Sequence, residues 1–202
     1  VGYWVNKSVT QGVAPNLRRV FSVSGGLKLI TFDPMDIDLY GEEELVLEPF
    51  DFTFTNYYVE EIGERPIRAF IAYETLIARE SIPGIKLHTN EMELEIAREN
   101  GTPGLRPVNL DPGYMTLGQF FLATTKDQRQ RVYVRDGIFV EPTLYFEAGH
   151  FHAFDWTYRD YQSEKYIQYL EQVRSRLAFR LSTGVPYRLR ASLQTQVKKA
   201  KR

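Results

Sequence analysis

Cysteine is missing altogether from this 202-residue chain, which excludes disulfide staples, thiolate nucleophiles and cysteine-ligated zinc. That absence suits a reducing compartment. An excess of charge is missing as well: 25 basic residues face 26 acidic ones, so the net charge of −1 gives no overall attraction to nucleic acid or to a membrane. Any such contact has to be local. No apolar run approaches the roughly 18 residues that spanning a bilayer needs, and no basic stretch followed by an apolar one opens the chain. The expectation is a soluble, unexported, cytoplasmic protein. Two catalytic signatures are absent too, the phosphate-cradling GxxxxGK[ST] loop and the GxSxG nucleophile elbow.

What is present is the mixture of a globular fold, 43% apolar and rich in Tyr and Phe. The length suits one compact domain over residues 1–182, followed by a basic tail at 183–202. That tail, "RLRASLQTQVKKAKR" in its main part, reads either as a contact for RNA, DNA or an acidic partner, or as a solvated, fraying terminus.

Period-two patterns outnumber helical ones. "VFSV", Gly25-Gly26 and "LKLITF" suggest an opening hairpin. "LVLEPFDFTFTNYY" alternates at Phe50, Phe52 and Phe54, and "PIRAFIAYE" alternates at Ile67, Ala69, Ile71 and Tyr73. "IKLHTNEMELEIA" also alternates and is read as a strand on that period, although Glu, Met and Leu favour helix. In "RVYVRDGIFVEPTLYF", Asp136-Gly137 between runs of β-formers is a tight-hairpin signature. Leu117, Phe120 and Phe121 have helical spacing and predict a short helix near 115–125. Tyr166, Leu170, Val173 and Leu177 predict an amphipathic helix near 163–181, capped by Asp160 or Ser163. The expected class is α+β, on a mostly antiparallel sheet built from hairpins.

Five ordered stretches carry a resemblance: "FDFTFTNYYVEEIG", "IKLHTNEME", "RPVNLDPGYMTLGQFFLATTKD", "RVYVRDGIFVEPTLYF" and "WTYRDY". Over residues 50–175 the chain resembles the bacterial family called domain of unknown function 4416, while residues 1–48 fit it poorly. The resemblance implies a cytosolic bacterial protein and supplies no activity. Some members are labelled GTP-binding. Without a phosphate loop that label has no physical support here, and "TTKD" matches the guanine-reading string only with a residue overlooked.

The stretches also contribute polar positions on or beside strands: Asp51, Thr53, Lys86, Asn90, Arg106, Asn109, Asp111, Lys126, Arg131, Glu141 and Thr143. If strand parity brings several together, Lys86, Asn90, Arg106, Lys126 and Arg131 would hold an anionic ligand such as a nucleotide or phosphorylated metabolite. Asn109, Asp111 and Glu141 would then do acid-base work or support Mg²⁺-dependent hydrolysis. The competing reading is a set of cross-strand charge pairs on a solvated face. Asp111-Pro112-Gly113 reads as a turn joining a strand to a helix, which leaves Asn109 the better ligand candidate.

Glu91, Glu93 and Glu95, opposed by Arg129, Arg131 and Arg135, suggest a carboxylate-lined tunnel for Mg²⁺ and triphosphate, or else a solvated face. His150 and His152 would point the same way on a strand, as a metal pair does with Asp155 close by, or they are surface residues. Trp156, Tyr158 and Tyr161 read as a stacking platform or as a latch pinning the last helix to the sheet. The alternative function class is a non-catalytic module contacting RNA or a protein through the basic tail and a sheet edge.

Overall fold

The computed structural model describes residues 2–11, 43–51, 53–54, 66–99 and 108–183. The opening hairpin expected around Gly25-Gly26, Phe52, Arg106 and the tail beyond residue 183 lie outside them. The described strands form one antiparallel sheet. They are β1 (Gly2–Gln11), β2 (Glu43–Asp51), β3 (Pro66–Ile77), β4 (Asn109–Met115), β5 (Gln119–Thr124), β6 (Val132–Arg135), β7 (Ile138–Glu147) and β8 (His150–Ala153). Their spatial order is β2-β3-β1-β4-β5-β7-β6, with β8 paired to β7. Two helices, α1 (Ile82–Glu99) and α2 (Glu164–Thr183), complete the described α+β fold.

Strand parity sorts the core into two layers. On β3, Phe70 and Ala72 pack with Met115, Phe120, Leu122 and Leu144 beneath Tyr166, Tyr169, Leu170, Val173 and Leu177 of α2. The alternate residues Ile71, Tyr73 and Ile77 join Ala123, Ile138 and Val140 beneath Ile82 and Ile85 of α1. Residues buried on both faces explain why the first part of β3 reads as a nearly continuous apolar run, and Arg68 within that run is also buried.

The Asp136-Gly137 hairpin forms as expected, with φ of 53° and 75° at its two central residues, and it joins β6 to β7. A second tight turn, Ala148-Gly149, joins β7 to β8 with φ of 49° and 92°. The expected C-terminal helix is α2, covering Glu164–Thr183. Asp160 does not cap it: the Asp160 carboxylate is engaged with Arg68, and Ser163 stands immediately before the first helical residue.

Three local expectations are corrected. The stretch expected to be a Glu-rich strand is α1, where Pro83 occupies the first turn and Ile82, Ile85, Thr89, Glu93 and Ile96 fall on one buried side. Its alternation was incidental, and intrinsic propensity was the better guide. The short helix expected near 115–125 is β5: Phe120 faces α2, whereas Phe121 stacks on Tyr114 from the other face, with ring centroids 4.7 Å apart. Adjacent aromatics imitate helical spacing when each face of a strand takes one. The strand expected through Phe54 stops at Asp51, and Phe54 is exposed.

The same correction moves the chain reversal. Asp111-Pro112-Gly113 is the interior of β4, and the turn lies at 116–119, where Thr116 N donates to Gln119 O at 2.8 Å. Two features make Pro and Gly acceptable there. β5 pairs with β4 only at Gly113, Tyr114 and Met115, so no strand awaits an amide from Pro112 on that side. At Gly113 a Cβ would press into the Phe121 carbonyl oxygen and lie 3.1 Å from the Phe120 ring. Gly113→Ala is therefore expected to cost about 1–3 kcal/mol, by overpacking against backbone that cannot withdraw. Urea unfolding should show a lower midpoint, and an unchanged midpoint would contradict this close approach.

Candidate functional site

The α2 face carries a charged centre inside its apolar layer. Arg68 shares parity with Phe70 on β3, Asn109 and Asp111 share parity with Met115 on β4, and Glu141 of β7 pairs with Leu122. All therefore project toward α2 and the 3-10 turn at Arg159–Gln162 that precedes it. The Arg68 guanidinium donates to the Asp160 carboxylate, and its Nη1 lies 3.4 Å from the Tyr166 hydroxyl. Both members of the ion pair are buried.

Tyr161 stands among these groups, fully buried, with the rings of Phe70 and Phe120 each 5.9 Å and Tyr166 5.7 Å from its own. Burial pushes its hydroxyl pKa well above the usual value; Arg68 opposes the rise, whereas Asp111, Tyr166 and Glu141 add to it. That phenol thus feels charges from β3, β4 and β7 at once. Burial likewise raises Tyr166 to about 12, against the lowering charge and hydrogen bond of Arg68.

On β7, Glu141 is held by Arg131, with Nε–Oε2 at 2.7 Å and both side chains almost fully buried. Gln130 reaches the same oxygen at 3.3 Å. Arg131 also donates to the Lys126 carbonyl at 3.0 Å and to the Tyr158 hydroxyl at 3.3 Å, which folds the β5–β6 connection over Glu141. Thr143 and Pro142 anchor the following segment through their carbonyls. Thr157 donates to Thr143 O at 2.6 Å and the Trp156 indole to Pro142 O at 2.9 Å. Trp156 is thus bound to β7 by its ring nitrogen, while Tyr161, in the α2 layer, serves as the expected latch.

Nearer the exposed side, Asn109 donates to Asp111 at 2.7 Å. Lys86 of α1 donates to Leu110 O at 2.7 Å, with its ammonium 4.0 Å from Asp111 Oδ1. Glu93 accepts from Leu110 N at 2.5 Å. Side chains of α1 thereby satisfy both backbone groups of Leu110 along the part of β4 that β5 leaves unpaired. Asp111 keeps 25% of its side chain exposed, unlike the nearly closed Arg131–Glu141 pair.

The structure thus brings together Asn109, Asp111 and Lys86, and separately Glu141, Arg131 and the Lys126 backbone. Asn90 is half-buried on α1, while the Lys126, Asp51 and Thr53 side chains are exposed. The carboxylate tunnel does not form: on a helix Glu91 and Glu95 face solvent while Glu93 turns to β4, and Arg131 is committed to Glu141. Among the described residues, no three His, Asp or Glu side chains are grouped as metal ligands. His150 is exposed, 3.4 Å from Glu171, and His152 stacks on Tyr145. Sequence reasoning passed over Arg68 and read Asp160 as a cap. The available signal was a single Arg in the apolar run "PIRAFIAY", whose burial demands a carboxylate.

Among the described residues these features define an α+β fold with one helix on each face of an antiparallel sheet and a charged centre under one helix. The chain belongs to the family described as domain of unknown function 4416 (DUF4416), whose profile matches residues 29–177. The match begins ahead of the stretches that carried the resemblance. No curated protein and no solved structure matches the chain. Among the described residues no helix is long and apolar enough to cross a membrane.

The tyrosines supply a test of the centre. Between pH 10 and 12 the folded state retains the Tyr166 proton that an unfolded chain releases near 10.0, so stability falls as pH rises through that window. Tyr166→Phe is expected to reduce this slope, read from urea midpoints at a series of alkaline pH values. An unaltered slope would show that Tyr166 does not ionise late.

Proposed function

We propose that this protein binds a small anionic molecule, of the size and kind of a nucleotide or phosphorylated metabolite, at the Asp111 side of the charged centre. The observation that supports the reading most is the convergence of Arg68, Asp111 and Glu141 on Tyr161, with Asp160 paired to Arg68. Within it, the tight pairs Arg68–Asp160 and Arg131–Glu141 cancel each other's charge and are shielded from water. The 4.0 Å separation of Lys86 from Asp111, with the carboxylate partly solvated, is the looser contact.

In this reading Lys86 and the exposed Lys126 meet the anionic group, and Asn90 and Arg131 shape its surroundings. Asn109 orients Asp111, which accepts a ligand hydroxyl proton as hydrogen-bond partner or general base. Glu141 fixes Arg131. In the hydrolytic form of the reading, Mg²⁺ accompanies the ligand and Asp111 is its carboxylate.

A second reading, a non-catalytic interaction module, is favoured by a different observation: every residue of β6, at the edge of the sheet, is exposed.

Thermal-shift measurements against nucleotides and phosphorylated metabolites, with and without Mg²⁺, test the first reading. A ligand at about 100 times its Kd adds roughly 2.7 kcal/mol of stability, a shift of several degrees. The expected result is such a shift from at least one compound, lost in Asp111→Asn and enlarged by Mg²⁺ if hydrolysis is the activity. No shift across the panel, or one that survives Asp111→Asn together with Lys86→Met, would contradict it.

A further inference from the structure

We propose that residues 125–131, the connection between β5 and β6, form a strap that regulates access to the charged centre: it lifts to admit the anionic ligand and closes again over it, with Arg131 as its clasp on Glu141. The ligand in this proposal rests on the anion-binding reading above. Two buried ion pairs lie in the same layer under different cover. Parting Arg68 from Asp160 means drawing the neighbouring Tyr161 out from between Phe70, Phe120 and Tyr166. Parting Arg131 from Glu141 disturbs no such packing, because from Thr125 to Gln130 the strap has no apolar side chain, and Thr125 to Arg129 are exposed. Side chains tie it down: Arg131 Nε and Gln130 Nε2 both reach Glu141 Oε2, at 2.7 and 3.3 Å, and Arg131 Nη2 reaches the Tyr158 hydroxyl at 3.3 Å. The bonds from Arg131 N to Gln128 O at 2.9 Å and from Lys126 N to Thr124 Oγ1 at 3.2 Å join near neighbours in the chain, and they survive a movement of the strap as a piece.

The energetics suit a clasp that opens and closes. Removing one partner of a buried ion pair is costly because the other charge stays behind in a dry site. Lifting the strap takes Arg131 and Gln130 away from Glu141 together, so water reaches both charges and that penalty does not arise. Segments with few buried apolar contacts open at free energies well below that of global unfolding. Glu141 and Asp111 both act on the Tyr161 hydroxyl, so unsealing Glu141 presents a second carboxylate on the side of the centre away from the Asp111 opening. Closure follows from Lys126. Its carbonyl is held by Arg131 Nη1 at 3.0 Å, so a ligand that meets Lys126 steadies the clasp as well.

The test uses the full chain. A carbodiimide with an added amine modifies carboxylates that water reaches, and mass spectrometry reads each site. Tyr158→Phe, which removes one clasp bond at an exposed residue, is expected to speed labelling of Glu141 about threefold and to leave Asp160 unchanged. Trypsin reports the strap itself. Cleavage after Lys126 and Arg129 should quicken by a similar factor in Tyr158→Phe and at least about tenfold in Glu141→Gln, with cleavage after Lys165 in α2 unchanged. Glu141 labelling that ignores Tyr158→Phe would overturn the inference, as would an equal rise at Asp160 and Lys165, which marks general unfolding. Adenosine monophosphate and ribose 5-phosphate probe closure: whichever raises the melting temperature should slow cleavage after Lys126 at least about fivefold, and a melting shift with unchanged cleavage would overturn the strap's control of the site. Silence of both compounds in the melting assay counts against the anion-binding reading alone, and the labelling and cleavage rates still decide the strap.

Discussion

Burying the Arg68 guanidinium on an interior strand is the constraint from which much of the remaining geometry follows. An unpaired charge in that position costs several kcal/mol, so Asp160 has to meet it, although 92 residues separate the two. Meeting it draws the 159–162 turn down onto β3. Tyr161 is consequently sealed between Phe70, Phe120 and Tyr166, and α2 starts in a position from which Tyr166, Leu170, Val173 and Leu177 cover the sheet. The ion pair adds little net stability compared with apolar packing, but it admits few alternative placements of the turn. Specificity of arrangement is its contribution.

β4 imposes a second constraint by ending its ladder early. Pro112 offers no amide, and Gly113 lets the Phe121 carbonyl approach, so β5 diverges from β4 beyond Gly113. The open stretch is closed by α1, whose Lys86 and Glu93 take the carbonyl and the amide of Leu110. A helix thereby replaces a strand at this point. The replacement brings an ammonium beside Asp111, and with it a partly solvated charge contact on this side of the centre.

Legibility in the sequence followed how local each determinant is. The Asp136-Gly137 hairpin, β3 and α2 were readable because turn chemistry or periodicity over a few residues decides them. The family was readable from ordered motifs, and the profile match over residues 29–177 agrees. β5 and α1 were not readable, because Phe120-Phe121 and Glu91 to Glu95 carry the period of the wrong element, and only tertiary burial decides between them. Strand parity did bring Asn109 beside Asp111, and it set Glu141 on the same face. Arg131 as the partner of Glu141 was among the residues singled out, whereas Arg68 and Asp160 were not, because nothing near either residue in the chain refers to the other. Lys86 reached Asp111 from a helix rather than from the strand assigned to it, so its residue type was informative while its element was not.

A charged centre of this kind leaves two surfaces with different chemistry: a partly solvated carboxylate beside a buried ammonium at β4, and an exposed apolar edge at β6. Both depend on a sheet whose faces are fixed by the Arg68 pairing. The most direct test is a double-mutant cycle on Arg68→Met and Asp160→Leu, with stability read by urea unfolding. Each single change should cost about 3–5 kcal/mol by stranding the other charge, and the double variant should recover most of one loss, giving a coupling of at least about 2 kcal/mol. Losses that simply add, to within about 0.5 kcal/mol, would contradict the pairing and the arrangement built on it.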